Sequence, residues 1–215
     1  MSTGKVEDDR RHVFAADPGK AHFAYASVSW EHDQAPVLNR VGMITELVND
    51  MRVGMFMYRV RRFYRAFKST IEEVSKKHGK VTDVVMERFM ARPGQGGGAV
   101  GESINIMIGI VALYCQKNGL MLQIIPASQW KNRAKRKYGL DSQAARYGYP
   151  FVCKDELKGN PYPVQDHQFD AVGIAQWFAE TAPVQGQGRS QAKDHDYMPA
   201  FTKQLRKLWN KIAKE

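Results

Sequence analysis

The chain has 215 residues, with 32 Lys and Arg against 22 Asp and Glu, a net charge of +10 and 43% hydrophobic residues. That length suits one domain with an appendage, and the apolar content with four Trp excludes a disordered chain. No apolar run approaches the ~18 residues of a membrane helix. The N-terminus, MSTGKVEDDRRH, is too polar for a secretory signal. Cys115 and Cys153 lie too far apart for a metal-binding spacing or a disulfide framework, so a cytoplasmic location is expected.

Residues 1–11 read as a flexible arm. His12–Ala16 is a short apolar strand running into the turn signal Asp17-Pro18-Gly19. His22–Trp30 is aromatic and β-rich, and Pro36–Ile44 is a third strand, giving an antiparallel meander. From Ile44 the period changes. Ile44, Leu47, Val48, Met51, Met55 and Tyr58, then Val60, Phe63, Phe67, Ile71 and Val74, recur at helical spacing. This predicts helix over 45–77, as one piece or two, capped by Thr45, weakest at Gly54 and ended by Gly79.

Val81–Glu87 reads as a strand and PGQGGG at 93–98 as a loop. That loop lacks the Gly-Lys-Ser/Thr ending of a nucleotide-binding loop. Ala99–Asn118 is predicted helical, with small residues Gly101, Ser103 and Gly109. Met121–Ile125 is predicted as a short buried strand. A basic helix opens near Gln129, residues 138–165 look irregular, and Asp166–Thr181 returns to helix. Residues 182–198 have linker composition, and 199–215 form a basic amphipathic helix. Three antiparallel strands followed by βαβ units predict an α/β, ribonuclease-H-like mixed sheet with helices on both faces, spanning 12–181.

The positive charge is uneven. Residues 45–80 carry 9 basic and 4 acidic side chains and residues 182–215 carry 7 and 3, whereas 1–44 carry 5 and 6. A polyanionic partner follows. The carboxylates then stand out. Asp17 ends one strand and Glu87 another. Asp170 lies in the first turn of a helix, sharing a face with His167 at i−3 and Asp166 at i−4. Such a set suits Mg²⁺ or Mn²⁺, and two such ions can drive phosphodiester hydrolysis. Each residue also has a plain reading: a turn Asp, a solvated strand-end Glu, an N-cap at Asp166.

The segments AADPGKAHFAYA at 15–26, VVMERFMARPGQGGGAVGESINIMIGIV at 84–111, IPASQWKNRA at 125–134 and DHQFDAVGIAQW at 166–177 resemble, in order, the motifs of RuvC-type Holliday-junction resolvases. The resemblance implies that Asp17, Glu87 and Asp170 are metal-binding carboxylates. The position three before the final Asp, Asp or His in that family, is His167 here, with Asp166 as the alternative fourth ligand. Lys131 matches the family's basic residue near the reacting phosphate. Phe89 matches an aromatic that stacks at the junction crossover, although a Phe there also fits a core position. Arg88, Arg92, Arg133, Lys135, Arg136 and Lys137 are then expected to hold DNA backbone. Two Mg²⁺ or Mn²⁺ per site, a homodimer on branched DNA, paired nicks leaving 5′-phosphate, and a phage or viral branch complete the expectation. The rivals are another ribonuclease-H-like nuclease, acting on RNA–DNA hybrid or ribosomal RNA precursors, and a non-catalytic branched-DNA-binding protein.

Overall fold

A computed structural model describes residues 10–19, 22–31, 36–48, 52–89, 98–131 and 166–181. Strands β1 (Arg11–Pro18), β2 (Phe23–Trp30) and β3 (Val37–Ile44) form the predicted antiparallel meander. Strands β4 (Asp83–Glu87) and β5 (Met121–Ile125) add to its other side in parallel, giving the order β3-β2-β1-β4-β5. Helices α1 (Val53–His78) and α2 (Gly98–Asn118) cover one face and α3 (Asp166–Thr181) the other. This is the mixed sheet with helices on both faces that the element order predicts.

Strand periodicity divides the two cores. Phe14 and Ala16 of β1, Phe23 and Tyr25 of β2, and Val84 and Met86 of β4 join α1 and α2. Val13, Ala15, Ala24, Ala26, Val28 and Val85 join α3. Alternation along a strand explains the division. The same parity turns Asp17 and Glu87 toward the α3 side. Small residues there, with Ala171 and Ala175 on α3, let α3 approach the strands closely. On the opposite face α1 lays down Val60, Phe63, Phe67, Ile71 and Val74, each at most 2% exposed. Full burial of each such side chain stabilises by about 1.5–3 kcal/mol. Phe67 also meets Phe14 edge-on at 5.7 Å and Tyr114 at 5.3 Å.

Two expectations are corrected. Helix α1 begins at Val53 rather than near Thr45, after an extended Arg52. Leu47 and Val48 are buried outside any helix, and Leu47 N–H donates to Thr45 O at 3.0 Å in a three-residue turn. Thr45 Oγ1 contacts Glu46 at 3.4 Å and caps nothing. Apolar spacing cannot separate a buried irregular segment from a helical turn. Gly54 is exposed in the first turn of α1, and Gly79 ends the helix at φ 99°, a conformation that favours glycine. Second, β5 is not buried. It is the edge of the sheet, with Met121 53% and Ile124 37% exposed. The expected linker and C-terminal helix, the irregular stretch 138–165 and most of the Gly-rich loop lie outside the described residues. So do residues 1–9 of the expected arm; Arg11 opens β1.

Candidate active site

β1 and β4 run parallel, pairing Ala16 with Met86, so Asp17 and Glu87 come to the same edge of the sheet. Asp17 is 7% exposed. Its Oδ2 lies 2.7 Å from His167 Nδ1 on α3. Nδ1 therefore donates, and in the neutral ring Nε2 carries the lone pair. Gly19 makes room for this contact: a Cβ there would sit 3.2 Å from His167 Cε1 and 2.9 Å from the His22 carbonyl oxygen. One turn after His167, Asp170 is 6% exposed, and its Oδ2 accepts from Lys131 Nζ at 3.1 Å. The same ammonium lies 3.9 Å from Glu87 Oε2.

Among the described residues, three carboxylates thus share one end of the sheet with the Lys131 ammonium and the His167 imidazole. Burial pushes the Glu87 carboxyl up. Lys131 opposes that shift, Asp17 adds to it, the Trp130 hydrogen bond opposes it, and Asp170 adds to it. The fields of all three acids overlap here. Carboxylate oxygens with one imidazole suit Mg²⁺ or Mn²⁺, and the excess of negative charge would be neutralised by a divalent ion. Among the described residues no three His, Cys, Asp or Glu side chains converge as a finished metal cage. Lys131 instead stands between Glu87 and Asp170, doing part of a cation's electrostatic work.

Asp166 is the first residue of α3. Arg88 is exposed just past β4, and its backbone N–H donates to Ile125 O at 2.6 Å. Phe89 is half-buried against the α1–α2 core, its ring over Gly101 so closely that a Cβ there would meet Cε1 at 2.8 Å. Arg92, Arg133, Lys135, Arg136 and Lys137 lie outside the described residues. Two neighbours of the site went unread in the sequence. Trp130 Nε1–H donates to Glu87 Oε2 at 2.9 Å. His22, expected to open β2, precedes the strand, and its ring lies 6.1 Å from that of His167. The pairing of β1 with β2 was the available signal for His22, since a tight turn after Asp17 returns it to the same edge.

No protein-family model and no curated protein matches the chain. Solved structures do. Thermus thermophilus RuvC in complex with a Holliday junction substrate superposes with a TM-score of 0.56 at 16% identity, covering 79% of this chain and 93% of that one. A second T. thermophilus RuvC structure gives 0.53 at 19%, covering 79% and 95%. The yeast mitochondrial Holliday junction resolvase Ydc2 gives 0.53 at 15%, covering 78% and 79%. At these identities the likeness is one of fold. No helix of the described residues is long and apolar enough to cross a membrane.

Proposed function

We propose that the chain is a metal-dependent, structure-selective DNA endonuclease that resolves Holliday junctions and related branched DNA by paired nicks. The observation that carries this reading is the meeting of Asp17, Glu87 and Asp170 with His167 and Lys131 at one sheet edge. Asp17, Glu87, Asp170 and the Nε2 of His167 would hold the metal, with Asp166 as the alternative fourth donor. When bound, two Mg²⁺ or Mn²⁺ ions supply activation of the attacking water and stabilisation of the leaving oxygen. Water adds to phosphorus, the bond to the 3′ oxygen breaks, and the ends are 5′-phosphate and 3′-hydroxyl. Asp17 keeps the His167 ring oriented. Lys131 neutralises charge on the scissile phosphate as it develops.

Grip on DNA is assigned to the basic surface. Arg52, Arg59, Arg61, Arg62, Arg65 and Lys68 fall within 17 positions counted from the α1 cap, a stretch whose own sequence holds no acidic residue; Arg62 pairs with Glu46 at 3.6 Å and Lys68 with Glu72 at 3.7 Å. α1 leaves the site edge after β3 and ends at Gly79, whose carbonyl meets His12 at the other edge. Its basic half thus lies at the edge that carries Asp17. Arg88, Phe89, Arg92, Arg133, Lys135, Arg136 and Lys137 extend the surface in this reading. A homodimer through the small residues of α2 would match two sites to two strands, and a cytoplasmic, phage-encoded setting belongs to the same reading.

Labelled four-way junction incubated with the full chain and Mg²⁺ tests the proposal. Paired nicks that vanish in Asp17→Asn are expected. No nicking by wild type, or full nicking by Asp17→Asn, would overturn it. Preferential cutting of RNA–DNA hybrid would transfer the site to that substrate. Junction binding in EDTA with no cleavage on adding metal would make the protein a binder only.

A further inference from the structure

Trp130 sits where three parts of the site meet. It belongs to the helical residues 127–131 after β5 and is 1% exposed. Its indole N–H donates to Glu87 Oε2 at 2.9 Å. The far edge of its ring lies on Gly173 of α3, where a Cβ would come within 2.6 Å of Cζ3. Gly173 is one turn beyond Asp170. Above the ring, at 4.8 Å from its centroid, is the Lys131 ammonium that binds Asp170 and faces Glu87. One rigid side chain therefore touches the β4 carboxylate, spaces the last helix from the sheet and seats the lysine.

The chemistry of indole makes the contact directional. Trp is a donor only, so Glu87 must accept, and the contact fixes which of its two oxygens does so. A buried carboxylate without such a donor would be free to turn. With Oε2 held by the indole and faced by Lys131, Oε1 is the oxygen left for a further ligand. A large aromatic is itself a stiff spacer, because its two χ angles are locked by packing. Glycine at 173 completes the fit, since any side chain there would push the ring off Glu87.

We infer that Trp130 is a positioning residue: it orients the Glu87 carboxylate through its indole N–H and, by seating on Gly173, fixes the spacing of Glu87, Lys131 and Asp170. The inference rests on the proposed nuclease site. Partners that orient metal ligands typically change metal affinity or activity by about 10–100-fold when removed. Trp130→Phe keeps most of the ring and loses the donor. It is expected to fold, to bind junction within about twofold of wild type, and to bind Mn²⁺ about tenfold more weakly by calorimetry. Its cleavage defect should lie in kcat rather than KM. Gly173→Ala should weaken Mn²⁺ binding in the same direction by displacing the ring.

A readout independent of metal and activity is the indole N–H resonance of Trp130 in ¹⁵N-labelled full chain. It is assigned by its loss in Trp130→Phe or, if that variant does not fold, by elimination with Trp30→Phe, Trp177→Phe and Trp209→Phe. Glu87→Gln should move this resonance more than the other three. An unmoved indole overturns the inference, as does a Trp130→Phe protein with wild-type Mn²⁺ affinity and turnover. If the indole responds to Glu87→Gln but wild type neither binds Mn²⁺ nor cuts DNA, the contact stands and the nuclease reading falls.

Discussion

Two ends of the parallel pair β1–β4 bury polar side chains and settle them in opposite ways. At the N-terminal end, Asp83 is 5% exposed and meets Arg11 at 3.0 Å, while Thr82 Oγ1 donates to it at 2.7 Å. Arg11 in turn lies over the rings of Trp30 at 5.6 Å and Phe178 at 5.4 Å. His12, 1% exposed, bonds Gly79 O through Nδ1 and Ser27 Oγ through Nε2, each at 2.6 Å. The carbonyl can only accept, so Nδ1 carries the proton and Ser27 donates to Nε2. None of these side chains leaves a buried polar atom without a partner, and one carboxylate faces one guanidinium. At the C-terminal end, among the described residues, three carboxylates face one ammonium and one imidazole. Buried polar groups that close on themselves hold a fold together. Buried like charges in excess among the described residues favour a bound cation, and that marks the end where chemistry is proposed.

The largest expected effect breaks the comparison at its active end. Asp17→Asn should lower junction cleavage by at least about 10³-fold, a loss of about 4 kcal/mol of transition-state stabilisation. Thermal stability of the metal-free protein should not fall with it, because one charge of the excess is gone. Asp17→Asn with wild-type turnover, or a collapse in Tm, would erase the distinction between the two ends.

The matching change at the closed end should do the reverse. His12→Ala strands the Ser27 hydroxyl and the Gly79 carbonyl and opens a cavity, for a cost of about 2–4 kcal/mol in denaturant unfolding. Cleavage per folded molecule should be unchanged, since His12 faces the α1 side of the sheet and Asp17 the α3 side.

Protonation separates the two ends by sign. Burial holds His12 below its ordinary 6.5, so the folded state resists charging it. That contribution is complete above about pH 6.5 and is lost as pH falls through that value toward the folded pKa. Glu87 is raised above its ordinary 4.5, chiefly by burial. Its contribution is complete below about pH 4.5 and is lost as pH rises through the folded pKa. Tm of metal-free protein against pH, in wild type, His12→Phe and Glu87→Gln, checks both. His12→Phe should flatten the loss below pH 6.5, and Glu87→Gln should leave that loss intact while removing the one that sets in as pH rises above about 4.5.

The carboxylate end was the more legible of the two in the sequence. Asp17 and Glu87 announce themselves at strand ends and meet by strand pairing, and His167 with Asp170 shares a helix face at i and i+3 that packing of α3 on the sheet brings to them. Trp130 carried no such signal. Its role comes from Gly173, 43 residues away, and from a carboxylate 43 residues before it, and neither distance has a period. The irregular Thr45–Val48 stretch misled for a related reason. Leu47 and Val48 are buried like helix residues, but a turn at Thr45 puts them there. β5 looked buried because MLQII is apolar, whereas edge or centre is fixed by strand order, which short apolar runs do not encode.

The smallest effect tests how far the closed network extends. Ser29, 7% exposed, accepts from Asn39 Nδ2 at 3.0 Å, and the same Nδ2 lies 3.5 Å from His12 Nε2. Asn39 is only half-buried on β3, so water can replace Ser29 as its partner. Ser29→Ala should therefore cost about 0.5–1.5 kcal/mol, the net worth of one ordinary hydrogen bond. A cycle combining Ser29→Ala with His12→Ala should show coupling well below the His12 effect itself. Coupling as large as that effect would mean that Asn39 and Ser29 hold the imidazole as firmly as Ser27 does. The closed end would then span three strands instead of resting on β1, β2 and the carbonyl after α1.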